Sequence, residues 1–186
     1  MLEKLLQWDR DTFVYLNNLG LEEYDHFWSL VTNISTWIPL YILFFILFFI
    51  KRPKKEAIVM SATVLLMFLF VLLFTDITKN IVERLRPSND QNINDLIRIL
   101  KTPTDYSFFS GHASNSFAVT TIVVLLLKNK FKWAWVFYVW PLLFCISRIY
   151  VGVHFPIDLI VGAFVGVLCA ILFNFLYNRV IKPYLL

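Results

Sequence analysis

An all-α fold, a polytopic transmembrane helix bundle, is what this sequence predicts, and three observations predict it. Of the 186 residues, 59% are hydrophobic and the mean hydropathy is +0.67, whereas water-soluble domains are roughly 45–50% apolar. Phenylalanine alone supplies 19 residues, more apolar surface than a soluble chain of this length can bury, so lipid is the natural solvent. The apolar residues fall into runs of spanning length, with Lys and Arg gathered at the run ends. That placement sets membrane topology. It also argues against nucleic acid as a partner despite the net charge of +4, because the basic residues form no binding stripe. The length suits a single domain, residues 1–186.

Residues 1–20 read as an amphipathic helix in the membrane interface. Leu2, Leu5, Leu6, Trp8, Phe13, Leu16 and Leu19 alternate with Glu3, Lys4, Asp9, Arg10 and Asp11, and Gly20 ends the segment. The start lacks the basic residues and the small-residue cleavage site of a signal peptide, so the first spanning helix is expected to direct insertion. Five runs follow: 27–50, closed by Lys51-Arg52-Pro53-Lys54-Lys55; 57–75; 111–127; 133–147; and 157–177. A spanning helix needs about 20 residues, with a range of roughly 17–25, so the fourth run should end slightly below the membrane surface. A further pass at residues 1–20 would make six spans. Between the second and third runs, Ser88-Asn89-Asp90-Gln91-Asn92 reads as a turn. Asp95 to Lys101 reads as either a short surface helix, suited to a lid or lipid guide, or a plain loop.

Five spans put alternate connections on opposite faces. Segments 51–56, 128–132 and 178–186 carry nine Lys or Arg and one acid, Glu56; the rest of the chain carries eight bases and twelve acids. The basic face is therefore expected to be cytoplasmic. The N-terminus and three polar clusters then face outward, toward the periplasm or cell exterior.

Those clusters hold the chemistry. Lys79 and Arg86 are seven residues apart, close to two helical turns, and share a face if the second helix continues as far as Pro87. Several cations around one anion, one of them an arginine fork, suit a phosphate. Arg84 is expected to point off that face, toward Glu83 or lipid headgroups. Ser110-Gly111-His112 opens the third run, where free backbone N–H groups form an anion site, Gly111 permits close approach and Ser110 can cap or donate. In the third cluster, Ser147-Arg148 ends one run and His154 precedes the next. Asp158, four residues on, can accept the imidazole N–H, fix its tautomer and leave the other nitrogen bare. A carboxylate just inside a span is costly unless paired, so Asp158 is a functional candidate.

This spacing resembles the type 2 phosphatidic acid phosphatase (PAP2) superfamily, the lipid phosphate phosphatases, with its pattern K-x6-RP, PSGH and SR-x5-H-x3-D. Here it reads Lys79 through Arg86-Pro87, then Phe109-Ser110-Gly111-His112 with Phe109 in place of the usual proline, then Ser147-Arg148 with His154 and Asp158. The resemblance covers roughly residues 60–175. It implies a compact bundle of usually six spanning helices. It also implies a catalytic trio: His154 as nucleophile through a phosphohistidine, Asp158 orienting it, and His112 as general acid and then base. Lys79, Arg86, Arg148, Ser110 and Gly111 would bind the phosphate. Three cations can neutralise the phosphoryl oxygens without Mg²⁺, so neither metal nor cofactor is expected. The substrate implied is a lipid phosphate or diphosphate in the bilayer. Undecaprenyl diphosphate stands first, ahead of phosphatidylglycerophosphate, phosphatidic acid and lipid A phosphates. A lipid phosphotransferase, a degenerate lipid-binding or transport protein and a vanadate-dependent halide oxidase are the rivals, the last disfavoured by the membrane setting.

Cys145 and Cys169 lie inside apolar runs and read as packing residues. Gly162 and Gly166 could seat a homodimer, but packing within a monomer's own bundle is the stronger reading. Trp133, Trp135 and Trp140 read as interface or lipid contacts.

Overall fold

A computed structural model describes residues 1–50 and 52–184. Lys51, part of the basic stop after the first run, lies outside the described residues, as do positions 185–186. Seven α-helices are described: α1 (Leu2–Asn18), α2 (Asp25–Val31), α3 (Ile38–Phe49), α4 (Lys54–Val82), α5 (Gly111–Leu127), α6 (Val139–Tyr150) and α7 (Pro156–Leu176). They form a polytopic bundle. Helices α4, α6 and α7, with the 3₁₀ and π turns that extend them, are long and apolar enough to cross a membrane. The 17-residue α5 adds about 25 Å of helix.

The first predicted span is broken. Its two parts, 22–31 and 34–49, meet at 62°. At the break, Asn33 leaves helical geometry and its side chain accepts a hydrogen bond from the Ser35 N–H at 3.3 Å. The fourth run begins as 3₁₀ turns over Lys132–Tyr138 before α6. The amphipathic N-terminal helix forms as expected, but its inner stripe is not purely apolar. Asp9, Phe13 and Asn17, spaced four apart, are fully buried, while Leu2, Leu5 and Trp8 are exposed. Asn17 fastens α1 to the bundle by donating to the Arg98, Ile149 and Tyr150 carbonyls and accepting from the Arg98 N–H.

The second span runs longer than the apolar count suggests but stops short of Arg86. Pro87 has no N–H and disfavours helix at the residue before it. The chain turns out at Glu83, which takes a left-handed conformation (φ 50°) and caps the Lys79 carbonyl. Lys79 and Arg86 therefore do not share one helical face. Segment 95–101 resolves as loop, with a single 3₁₀ turn at Asn94–Leu96.

Helix α5 is the central post, buried over most of its length although it carries Ser114, Asn115, Ser116, Thr120 and Thr121. Several of these satisfy themselves on the helix: Ser114 and Asn115 donate to the Gly111 carbonyl and Ser116 to that of Ala113. Short side chains let α7 approach closely, which is how helices associate where lipid offers no hydrophobic drive. A Cβ on Gly162 would lie 2.7 Å from the Ser110 carbonyl oxygen, and one on Gly166 would lie 2.2 Å from that of Ser114. The glycine pair thus serves packing within the chain. Phe44, Phe48, Phe137 and Phe144 belong to the main apolar core. Trp140 joins them, buried against Trp37, Tyr41 and Phe144, which corrects its reading as a lipid contact. Trp133 and Trp135 are exposed as expected, and Cys145 and Cys169 are free thiols.

Gly166→Val should cost at least about 1–3 kcal/mol by overpacking. Thermal unfolding in detergent should show a clear loss, whereas Phe164→Val, on the exposed face of the same helix, should leave the midpoint nearly unchanged. Equal midpoints would mean that α5 and α7 are not in contact at this level.

Candidate active site

Three chain segments bring their polar residues to one end of the bundle: the exit from α4, the loop before α5, and the α6–α7 connection. Arg86, Arg148, His154 and Asp158 are buried, and Lys79 nearly so. Arg86 sits at the centre. Its Nε donates to the Asp105 carbonyl at 2.8 Å, its Nη2 to the Asp105 carboxylate at 2.7 Å and its Nη1 to the Val153 carbonyl at 2.9 Å. The same Nη1 lies 3.2 Å from His154 Nε2. A guanidinium only donates, so Nε2 must present a lone pair and the ring proton must sit on Nδ1.

Around Nδ1 the arrangement differs from the direct His–Asp bond expected. His154 Nδ1 is 3.6 Å from Asp158 Oδ2, too long for a hydrogen bond. Ser107 stands between them, with its hydroxyl 3.3 Å from Nδ1 and donating to Asp158 Oδ2. Asp158 Oδ2 also accepts the Phe155 N–H at 3.1 Å, capping α7. Its other oxygen receives Arg84 Nη1 at 2.6 Å. Arg84 therefore does not point to Glu83 or lipid. It bridges two fully buried carboxylates, Asp158 and, through Nη2 at 2.6 Å, Asp9 of α1. The guanidinium stacks 4.1 Å over the Phe155 ring. Asp9 finishes the link by accepting the Ile157 N–H at 2.9 Å.

Arg148 donates through Nη1 to the Thr32 hydroxyl at 2.6 Å, while its Nε is buried without a hydrogen-bond partner. The break in the first span is thus the point at which that span reaches the cluster. Ser110 caps α5 by accepting the Ala113 N–H, and its own N–H donates to the Asp158 carbonyl. His112, in the first turn of α5, packs edge-on against Phe144 with ring centroids 4.9 Å apart, within electrostatic range of Arg148, His154, Lys79 and Arg86. All eight sequence-predicted residues therefore belong to this end of the molecule.

Sequence reasoning missed Asp105, Ser107, Arg84, Asp9 and Thr32. Asp105 forms ion pairs with both Lys79 and Arg86. Burial alone would raise its carboxyl, but Lys79 and Arg86 outweigh that and hold it at about 2. A carboxylate with a depressed pKa stabilises the folded contact above its ordinary value of 3.8, and the contact weakens as pH falls toward 2. For His154, burial and then Arg86, Arg148 and Lys79 push the imidazole well below its ordinary 6.5, so it is neutral at physiological pH.

Fold and site together describe a helical membrane protein with a buried, cation-rich polar end built around an unprotonated imidazole nitrogen. The PAP2 superfamily model matches residues 61–182, and the chain belongs to that superfamily as a membrane-embedded phosphatase. A lipid A 4'-phosphatase of Porphyromonas gingivalis is 32% identical over 170 residues, covering 90% of this chain and 72% of the relative. An undecaprenyl-diphosphatase of Sulfolobus acidocaldarius is 37% identical over 131 residues, covering 70% of this chain and 58% of the relative. Among solved structures, a transmembrane PAP2-type phosphatidylglycerolphosphate phosphatase from Bacillus subtilis superposes with TM-score 0.76, covering 95% of this chain and 88% of its own, at 22% identity. That likeness concerns the fold.

Arg84→Gln should destabilise the protein by about 3–5 kcal/mol, because it strands two buried carboxylates. The double variant Asp9→Asn/Arg84→Gln should recover part of the loss. Detergent unfolding of the single and double variants measures both; no recovery would mean that the two groups are not coupled.

Proposed function

We propose that this chain hydrolyses the phosphate of a membrane lipid at the extracytoplasmic surface of a bacterial inner membrane, through a phosphohistidine on His154. The observation that carries the reading is the unprotonated Nε2 of His154, met by Arg86 with Lys79 and Arg148 in the same cluster. Phosphoryl transfer asks chiefly for a positioned nucleophile and neutralisation of the phosphoryl oxygens, and this cluster supplies both. The Nε2 lone pair attacks phosphorus while the bond to the lipid oxygen breaks. Arg86 Nη1, close to Nε2 in the free protein, is placed to follow the phosphoryl group as it arrives. Lys79, Arg148, the Ser110 hydroxyl and the Gly111 N–H hold the remaining oxygens, because the Ser110 N–H is already given to the Asp158 carbonyl. Asp158 acts on His154 through Ser107, keeping the proton on Nδ1.

His112 gives a proton to the leaving oxygen, then takes one from the water that cleaves the phosphohistidine. An imidazolium beside three cations is stabilised once a phosphate dianion lies among them, so binding and proton uptake go together. Asp105 must leave Lys79 and Arg86 for the phosphate to reach them. The cation set meets the electrostatic demand of the transition state without a divalent metal, and activity is expected to persist in EDTA.

A phosphate on a lipid A-type glycolipid is the first substrate reading, supported by the breadth of the match to the Porphyromonas enzyme. Undecaprenyl diphosphate is the second, favoured by the higher identity to the Sulfolobus enzyme over a shorter stretch. The charge asymmetry of the connections supports an outward-facing site.

The purified protein should release inorganic phosphate from one member of a panel of lipid A phosphates, undecaprenyl diphosphate, phosphatidylglycerophosphate and phosphatidic acid, with or without EDTA. His154→Ala should abolish release, and His112→Ala should slow it by about 10²–10⁴-fold. Phosphate found on a second lipid or alcohol instead would identify a phosphotransferase. Activity that survives His154→Ala would end the proposed mechanism.

Activity should depend on pH through both imidazoles, with kcat/KM reporting the free protein and kcat the substrate complex. Because His154 must be unprotonated and its surroundings hold its pKa well below 6.5, the acid limb should lie below that value. An alkaline limb should appear in kcat, where it follows loss of the proton that His112 takes up with the substrate. An acid limb above 6.5 would contradict the nucleophile assignment.

A further inference from the structure

At the end of the bundle opposite His154, where α4 begins and α5 and α7 finish, a polar cavity of about 170 Å³ opens. Arg52 forms one wall, and its side chain is 6% exposed. Its Nη2 donates to the Leu126 carbonyl at 2.9 Å, and its Nε stands 3.8 Å from Glu56 Oε1. Its Nη1 is buried with no hydrogen-bond partner, as is the Tyr177 hydroxyl across the cavity. Lys130 and Lys182 also line the space. Among the described residues, the lining carries the three bases Arg52, Lys130 and Lys182 and one acid, Glu56.

Leaving a buried guanidinium N–H unmet is costly, and native proteins rarely do so without an occupant. The occupant that fits must be anionic, must accept from a fork and a hydroxyl at once, and must suit a small cavity. A phosphate group meets all three conditions. None of the three histidines lies here, so the site is suited to binding rather than to phosphoryl transfer. It opens among the basic connections expected to face the cytoplasm, where anionic lipid headgroups concentrate.

We propose that this cavity binds a phosphate group, carried by an anionic lipid headgroup or free in solution, and that its occupancy stabilises the bundle. The inference stands independently of the catalytic reading. The test is thermal unfolding of the full-length protein in neutral detergent with added phosphatidylglycerol, phosphatidylcholine or inorganic phosphate. Phosphatidylglycerol at saturation should raise Tm by about 5 °C, with no comparable shift from phosphatidylcholine. Arg52→Gln should lose the shift, and so should Lys182→Gln, which alters only an exposed side chain and keeps the test valid if Arg52→Gln fails to fold. A shift from inorganic phosphate alone, lost in the same variants, would identify the free anion as the source. The proposal is overturned if no phosphate compound shifts Tm, or if both variants keep the full shift and so place binding elsewhere, including at the catalytic end.

Discussion

A carboxylate held dry at the end of a helix bundle must be met by donors on every side, and meeting that demand for Asp158 organises the whole polar end of this protein. Its side chain is fully buried. It is matched by Arg84 from the exit of α4, Ser107 from the loop before α5 and the Phe155 N–H at the start of α7. Three separate stretches of chain are thereby fixed around one group. Arg84 carries the constraint outward to Asp9, so the N-terminal helix is held by the same electrostatics. That helix keeps Leu2, Leu5 and Trp8 exposed, so an exposed apolar surface and the carboxylate linked to His154 through Ser107 are joined through a single arginine.

The packing below this end explains how the polar groups hold their places. Helices α5 and α7 meet through Gly162 and Gly166 with almost no space between their backbones. This contact fixes Ser110 beside Asp158, as the hydrogen bond from the Ser110 N–H to the Asp158 carbonyl records. The hydroxyl-rich core of α5 fits the same logic, since Thr75 and Ser114 lie 3.2 Å apart across α4 and α5. In lipid, such short polar side chains pack without leaving backbone groups unmet.

Much of this was legible in the sequence. Apolar run length gave the helices, and the positions of Lys79, Arg86, Ser110, His112, Arg148, His154 and Asp158 at run ends gave the polar end. What was not legible depended on long-range geometry. Arg84 was misread because helical periodicity was carried past Val82, whereas the left-handed turn at Glu83 re-aims everything after it. Ser107 was missed because a four-residue spacing makes a direct His154–Asp158 bond look sufficient. Asp9 did leave a trace: it falls on the same stripe as Phe13 and Asn17, where an interfacial helix should be apolar. Nothing in the sequence marked Thr32, which meets Arg148 only because the first span bends.

Asp105 gives the cation cluster a resident competitor. Its side chain is 55% exposed, yet its carboxylate lies on both Lys79 and Arg86. Because it is tethered, its effective concentration there is that of an intramolecular group. The phosphodiester of an ordinary phospholipid brings a single negative charge, no more than Asp105 already provides, and gains little by displacing it. A terminal phosphate bringing nearly two charges and three free oxygens gains more from the exchange. In a bilayer crowded with diesters, one tethered carboxylate would keep the cations from being occupied by the solvent itself.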